Sequence, residues 1–167
     1  MAGHGLNTVT AGNGNNTIVL GNGFDQVTTG NGNSRITVGN GVGDVIFVGM
    51  GQNRIALGAG IGVIVHTGSG NNIVSVSAAA VDADTISGAL TSGDGSGNKL
   101  ILTTTGTITA AGVTGFEIYK LADGGPNTLT LQNANFARLP GGSISLIGGS
   151  DDDTLNVSAL SAGSGTG

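Results

Sequence analysis

A short glycine repeat in the first 77 residues constrains the fold more than any other feature of the sequence. Gly-x-Gly triplets recur at steps of nine or ten residues, and they begin at Gly3, Gly12, Gly21, Gly30, Gly39, Gly49, Gly58 and Gly68. Four residues after the second glycine of each triplet stands a β-branched apolar residue, in a row formed by Val9, Ile18, Val27, Ile36, Val45, Ile55, Ile64 and Val74. A looser second row follows two residues later and consists of Ala11, Leu20, Thr29, Val38, Phe47, Leu57, His66 and Val76. Apolar residues two positions apart predict a strand with one buried face, because side chains alternate across a strand.

Strands this short cannot bury an apolar face alone, so successive copies must stack on one another. Stacking at about 4.8 Å pairs the backbone groups and joins the apolar residues into continuous rows. With two repeats in each coil, the sequence predicts an all-β protein that forms a flattened parallel β-solenoid of about four coils. The glycines then occupy turn positions that need a positive φ or a narrow corner.

The repeat pattern divides the chain into three segments. Residues 1–77 carry the regular nonapeptide repeats of the β-solenoid. Residues 78–98 are rich in Ala, Ser, Gly and Asp, which predicts a loop-rich excursion or a looser coil. Residues 99–167 contain longer alternating stretches between glycine-rich turns, so we expect the solenoid to continue there with wider, irregular coils.

Composition removes several classes of protein. With 34 Gly among 167 residues a helical protein is excluded, and 38% hydrophobic residues argue against disorder. No apolar run is long enough to span a membrane. The absence of Cys excludes thiolate metal sites and disulfides. With five Lys and Arg and a formal net charge of −5, we expect no basic stripe for phosphate groups and therefore no nucleic-acid binding.

The repeat resembles the hemolysin-type calcium-binding (RTX) nonapeptide family, whose motif is Gly-Gly-x-Gly-x-Asp-x-apolar-x. The resemblance implies that Ca²⁺ is held between adjacent coils by the motif Asp and by turn carbonyls. In this sequence the Asp position carries Asn7, Asn16, Asp25, Ser34, Gly43, Asn53, Gly62 and Asn72. Only Asp25 keeps the carboxylate, and its neighbours one coil away are predicted to be Asn7 and Gly43. Because Ca²⁺ affinity depends on charged oxygen ligands, we expect a largely calcium-free solenoid.

Asparagine side chains are expected to take the place of the ion. Their amides can bond the turn backbone and stack on the Asn of the next coil. The residues with the right period for such a ladder are Asn13, Asn22, Asn31 and Asn40.

A second candidate metal site lies near the end of the sequence. Residues 148–156 form the best single copy of the calcium motif, with the adjacent carboxylates of Asp151, Asp152 and Asp153. They predict a Ca²⁺ site completed by oxygens from a neighbouring coil or from another copy of the protein. The alternative is an acidic, solvated turn. Residues 115–131 also look like stretches common in large secreted bacterial RTX-type proteins.

The sequence offers few groups for catalysis. His4 is expected in an exposed first turn, and His66 at a packed or edge position. Glu117 and Tyr119 are predicted to share a strand face, either as a small polar patch or as ordinary solvent-facing surface. Asp82 and Asp84 are spaced like calcium-loop ligands, with a solvated loop as the alternative. No nucleophile, base and orienting group can be assembled from these residues, so we expect no enzyme activity.

The remaining strand positions are predicted to face outward. One sheet would present Thr8, Thr10, Gln26, Thr28, Asp44, Ile46, Val63 and Val65. The other would present Thr17, Val19, Arg35, Thr37, Arg54, Ala56, Ile73 and Ser75. The apolar members Val63, Val65 and Ile73 suggest a covered surface.

Both ends of the predicted solenoid lack a polar or helical cap, which leaves two interpretations. The chain is a fragment of a longer repeat protein, or copies stack end to end into a filament. We therefore expect a secreted, non-catalytic bacterial protein with a structural, adhesive or matrix role. Its partners would be further copies of itself in a head-to-tail homopolymer and a cell-surface polysaccharide. It would be extracellular or at the cell surface without a classical N-terminal signal peptide.

Two other functions stay open at this point. One is a calcium-binding RTX module that folds when it meets Ca²⁺ outside the cell. The other is an accessory or glycan-binding domain of a larger secreted protein.

Overall fold

The chain folds into a parallel β-solenoid, as the repeat predicts. The computed structural model describes residues 3–81, 85–87, 97–137, 139 and 141–161. The strands are β1 (Asn7–Ala11), β2 (Thr17–Val19), β3 (Asp25–Thr29), β4 (Arg35–Thr37), β5 (Val45–Val48), β6 (Arg54–Ala56), β7 (Ile64–Thr67), β8 (Ile73–Val76), β9 (Thr85–Ser87), β10 (Lys99–Leu102), β11 (Thr107–Ile108), β12 (Val113–Thr114), β13 (Ile118–Lys120), β14 (Thr128–Thr130), β15 (Ser145–Ile147) and β16 (Thr154–Asn156). Two single-turn helices, α1 (Ala78–Val81) and α2 (Asn133–Phe136), interrupt them.

The strands form three parallel sheets. Sheet A has the order β1-β3-β5-β7-β9-β12, sheet B the order β2-β4-β6-β8-β10-β13-β15, and sheet C the order β11-β14-β16. The first four coils contain one strand of sheet A and one of sheet B, joined by the glycine turns. We call the turns that lead into sheet A the first edge, and those that lead into sheet B the second edge. Within the described residues no helix is long and apolar enough to cross a membrane.

The later coils are wider because sheet C adds a third side. Helix α1 contacts β11, the first strand of that sheet, while α2 contacts β12, the last strand of sheet A. Of residues 78–98, the structure describes α1, β9 and the last two residues. Strand β9 pairs with β7 and β12, so these three residues continue sheet A. Asp82 and Asp84 lie outside the described residues.

The core consists of the inward rows of sheets A and B, joined in the later coils by Ile108 and Leu129 of sheet C. Along sheet B the rows follow the predicted positions, from Ile18 and Ile36 to Ile55 and Val74, all buried. Along sheet A, Val9 pairs with Val27, but the row then continues with other residues than the predicted Val45 and Ile64. The buried residues are Ile46, Val48, Val65 and Thr67.

Two inserted glycines cause this shift. The ten-residue repeats that begin at Gly39 and Gly58 hold their extra residue in the turn, at Gly43 with φ +80° and Gly62 with φ +73°. One extra residue before a strand exchanges its two faces. Asp44, Ile46, Val63 and Val65 therefore point inward, and the prediction that they face outward is wrong.

The exchanged residues now lie on the outer surface of sheet A. Phe47 and His66, which were placed in the second apolar row, stack on each other with ring centroids 5.1 Å apart. Val63 and Val65 are buried, so the apolar part of this surface is formed by Val45, Phe47 and Ile64 instead. Ile73 does face outward on sheet B, where it is half-buried.

Glycine is required where successive turns touch. A Cβ atom on Gly41 would overlap the carbonyl oxygen of Gly23, and one on Gly60 would overlap that of Gly41. The first-edge turns can stack at the strand spacing because these positions carry no side chain.

Candidate functional site

Asparagine ladders run along the turns of both edges. The Oδ1 atom of Asn13 accepts a hydrogen bond from the backbone N–H of Asn31 at 2.8 Å, and Oδ1 of Asn22 accepts one from Asn40 at 2.7 Å. Each bond joins a turn to the turn one coil above it. The predicted ladder is confirmed, with the two edges forming separate rows.

A second ladder lies inside the second edge, where the family motif has its Asp. The backbone N–H of Asn53 donates to Oδ1 of Asn72 at 3.2 Å, and that of Asn72 donates to Oδ1 of Asn98 at 3.0 Å. The Asn72 amide also donates to the carbonyls of Gly68 and Gly70, at 2.9 and 3.0 Å. An Asn here bonds its own turn and the neighbouring coil at once.

The corresponding row inside the first edge contains two acids. Asn7 is followed by Asp25 and Asp44, because the inserted Gly43 brings Asp44 rather than Gly43 into the row. The predicted pairing of Asp25 with Gly43 is therefore wrong. Sequence reasoning missed Asp44 because the triplet spacing does not show where in a ten-residue repeat the extra residue lies.

Each of the two carboxylates has one satisfied and one orphaned oxygen. Oδ1 of Asp25 accepts bonds from the backbone and side-chain nitrogens of Asn7, and Oδ1 of Asp44 accepts the Asp25 N–H at 2.8 Å. Oδ2 of both residues is buried without a hydrogen-bond partner. In the Asn residues of these rows the corresponding atom is the amide nitrogen, which donates to turn carbonyls.

Burial raises the pKa of the Asp44 carboxyl, and the neighbouring negative charge of Asp25 adds to the increase, while the hydrogen bond from the Asp25 N–H opposes it. A buried carboxylate oxygen without a donor disfavours the charged form. Ionisation of Asp44 is therefore harder here than in water.

In the acidic turn formed by Asp151, Asp152 and Asp153, two carboxylates accept hydrogen bonds from the preceding coil. Oδ2 of Asp151 accepts the N–H groups of Gly124 and Gly125 at 2.9 and 3.0 Å. Oδ1 of Asp153 accepts the side-chain and backbone N–H of Asn127 at 2.8 and 3.0 Å. The Asn127 amide, together with the Gly149 N–H, lowers the pKa of Asp153. These two acids fasten one coil to the next in sheet C.

The third acid of this turn, Asp152, is exposed. Among the described residues, no three His, Cys, Asp or Glu side chains lie close enough together to hold a metal ion. Calcium binding at Asp25 and at Asp151, Asp152 and Asp153 stays a prediction.

The other residues considered for chemistry are separated. Nδ1 of His4 accepts the backbone N–H of Asn22 at 3.1 Å. Oε2 of Glu117 accepts the N–H of Asn98 at 2.9 Å and so extends the inner ladder of the second edge. Tyr119 is fully buried in the core, so it does not form the predicted surface patch with Glu117. Burial also raises the pKa of Tyr119.

The outer surface of sheet B gathers basic side chains. Arg35 and Arg54 lie in register on neighbouring strands, and Lys99 stands two strands further along the same column. Lys120 lies in the adjacent outward column. We call these four residues the basic face. The expectation that the chain has no basic stripe is wrong at this surface, and Lys99 and Lys120 were missed because an irregular segment separates them from the regular repeats.

The two ends of sheet B expose apolar side chains in one column. Val19 in β2 is 37% exposed and Ile147 in β15 is 40% exposed. Each belongs to an edge strand that has a neighbour on one side within the described residues. At the first edge, a separate row of exposed apolar residues consists of Leu6, Phe24, Val42 and Ile61.

The chain matches no protein-family model, no curated protein and no solved structure.

Proposed function

We propose that this protein is a non-catalytic structural solenoid that assembles head to tail through sheet B, outside the cell. The described residues place no catalytic set together: the histidines, Glu117 and Tyr119 lie apart or are bonded to backbone. The Asn and Asp side chains of the turns join coil to coil. A scaffold whose polar groups serve its own stacking suits a structural role.

One observation carries the assembly proposal. The two end strands of sheet B match each other residue by residue. Both are three residues long, and both present polar, apolar and apolar side chains in the same order. Placing β15 of one copy beside β2 of the next pairs Ser145 with Thr17, Leu146 with Ile18 and Ile147 with Val19. This extends the parallel register already seen between Lys120 and Ile147 in β13 and β15.

The structure also supports sheet B over sheet A as the contact. Helix α2 covers β12 at one end of sheet A, where the buried Asn135 amide donates to the carbonyls of Ala110 and Val113 at 2.6 and 2.8 Å. A further strand cannot pair there without displacing the helix. Since β2 and β15 are different surfaces, their contact does not close on itself, and repetition gives a filament rather than a ring.

Charged substitutions at Val19 and Ile147, which would face each other between two copies, test this proposal. Val19→Asp/Ile147→Asp places two carboxylates against each other and should leave the chain monomeric, because like charges directly opposite destabilise strand pairing. Val19→Asp/Ile147→Lys should restore assembly, and do so more weakly at high salt. Thr28→Asp, on the exposed outer face of sheet A, is the matched control and should assemble like the original chain.

Sedimentation velocity and electron microscopy of the full chain measure the outcome, with circular dichroism confirming that each variant is folded. A dispersed monomer at high concentration overturns the proposal. So does a Val19→Asp/Ile147→Asp variant that forms the same filaments as the original protein.

A calcium-binding module of the RTX type is the second candidate. The observation that favours it is the pair of buried, unpartnered Oδ2 atoms in Asp25 and Asp44. Ca²⁺ takes about six to eight oxygen ligands, so turn carbonyls would have to supply most of the shell. Circular dichroism in chelator and then in Ca²⁺ separates the candidates, since a large gain of β-structure on Ca²⁺ addition supports the module.

A further inference from the structure

The basic face concentrates positive charge on an acidic protein. The chain contains five Lys and Arg against ten Asp and Glu. Four of the five basic residues lie on the outer surface of sheet B, and the fifth, Arg138, lies outside the described residues. The two outward columns consist of Thr17, Arg35, Arg54, Ile73, Lys99, Ile118 and Ser145, and of Val19, Thr37, Ala56, Ser75, Ile101, Lys120 and Ile147. Neither column contains an acidic residue.

A shallow groove crosses this face. Its volume is about 160 Å³, and it is lined by the outward residues of β4, β6 and β8, by Ile36 and Ile55 between them, and by Ile101 of β10. Lys99 and Lys120 lie outside this lining. The small side chains of Thr37, Ala56 and Ser75 form the floor, while the longer side chains of Arg35 and Arg54 stand in the column beside them. The groove therefore runs across the strands, along the axis of the solenoid.

The positive charges are spaced by the strand repeat. Arg35 and Arg54 are one strand apart, about 4.8 Å, and Lys99 follows two strands later, about 10 Å further. Two cations on adjacent strands repel each other unless an anion lies between them. This spacing fits an extended polymer that carries a negative charge on each of its repeating units.

We infer that the basic face binds a carboxylated polysaccharide that lies in the groove along the solenoid axis. Guanidinium groups recognise carboxylates by paired N–H donors, and the hydroxyls of Thr37 and Ser75 in the floor can bond sugar hydroxyls. Single-stranded nucleic acid fits less well, because its bases bind by stacking on aromatic side chains and neither column contains one.

This inference goes beyond the proposed structural function by naming a class of ligand. It does not depend on assembly, because every residue of the groove comes from one copy of the chain. Binding can therefore succeed or fail independently of filament formation.

The test measures binding of polygalacturonate, with dextran as the neutral polysaccharide, by isothermal titration calorimetry at low and high salt. The original chain should bind polygalacturonate and not dextran, with an affinity that falls as salt rises. Arg35→Gln/Arg54→Gln should lower the affinity at least about tenfold, since it removes hydrogen bonds to charged groups. Arg35→Lys/Arg54→Lys keeps the charge but loses the paired donors, and its affinity should be intermediate.

A charge-matched control separates the groove from the overall charge. Thr8→Glu/Thr28→Glu changes the net charge by the same two units, but on the outer face of sheet A. It should retain the affinity of the original chain. Equal losses in the control and in Arg35→Gln/Arg54→Gln would overturn the inference. So would the absence of polygalacturonate binding at low salt, equal binding of dextran, or tighter binding of single-stranded DNA.

Discussion

Removing one of the two buried acids of the first edge should make the folded protein more stable. Asp25→Asn should stabilise the protein at neutral pH. Asp25 has the register position of Asn7, whose side-chain nitrogen donates to the carbonyls of Gly3 and Gly5 at 2.9 and 3.2 Å. The new amide would donate in the same way to Gly21 and Gly23, where Oδ2 has no partner.

The magnitude follows from the hydrogen bonds involved. An unsatisfied buried polar group costs about 1–3 kcal/mol, and each hydrogen bond contributes about 0.5–1.5 kcal/mol net. We expect the free energy of unfolding to rise by about 2 kcal/mol at pH 7. For a chain of this size that corresponds to about 4–8 °C in Tm.

The pH dependence supplies a second signature. The pKa of Asp44 in the folded state lies above its usual value of 3.8, mainly because of burial. The stability that depends on the Asp44 proton is therefore fully present below about pH 3.8 and is lost as the pH rises through the raised pKa. Val63, the next residue of this row, is uncharged, so the charge that faces Asp44 is that of Asp25. Asp25→Asn removes this charge, so the pKa of Asp44 should fall and the loss of stability should move to lower pH.

Thermal unfolding followed by circular dichroism between pH 3 and pH 8 measures both effects. Asn53→Asp is the matched reverse substitution in the second edge, and it should destabilise the protein at pH 7 by a similar amount. A lower Tm for Asp25→Asn at pH 7, with an unchanged pH profile, would refute the reasoning. If Ca²⁺ raises the Tm of the original chain but not that of Asp25→Asn, a cation rather than a proton occupies this corner.

Three further predictions concern stability and titration. Thr29→Val should raise the free energy of unfolding by about 1 kcal/mol in urea titrations, because the buried Thr29 hydroxyl has no hydrogen-bond partner. Gly41→Ala should destabilise the fold by at least about 3 kcal/mol in the same assay, whereas Gly12→Ala should be tolerated, since a Cβ there meets nothing within 4 Å. Asn127→Ala should raise the pKa of Asp153 toward its usual value, observed by NMR titration of the carboxyl carbon, because the Asn127 amide is the main cause of the lowered pKa.

The nine-residue repeat made the solenoid predictable in its strands and most of its core. Gly-x-Gly spacing locates each turn, and the apolar residue four positions later locates each strand. In the ten-residue repeats this rule fails, because Val45 and Ile46 are both apolar and the sequence pattern cannot show which one faces inward. Ile46 faces inward because the extra residue lies in the turn, at Gly43, which has a positive φ.

Features that depend on long-range register could not be predicted. Asp44 became a neighbour of Asp25 only through the inserted Gly43. The basic face needed the pairing of β10 with β8, across the irregular segment that separates Lys99 from Arg54. The cap on sheet A arises because Asn135 in a single helical turn reaches two backbone carbonyls of the preceding coil, and a four-residue helix leaves no periodic pattern in the sequence.

Disulfide cross-linking between the two ends of sheet B tests the head-to-tail assembly most directly. The chain has no native Cys, so Val19→Cys/Ile147→Cys carries the only two thiols. Within one copy these positions lie at opposite ends of a seven-stranded sheet, about 29 Å apart, while in-register neighbours on adjacent strands are within disulfide reach. The proposed contact predicts a ladder of covalent oligomers on a non-reducing gel after mild oxidation, and little cross-linking in a Thr28→Cys/Ile147→Cys control. Monomer alone, or the same ladder in the control, would contradict assembly through this contact.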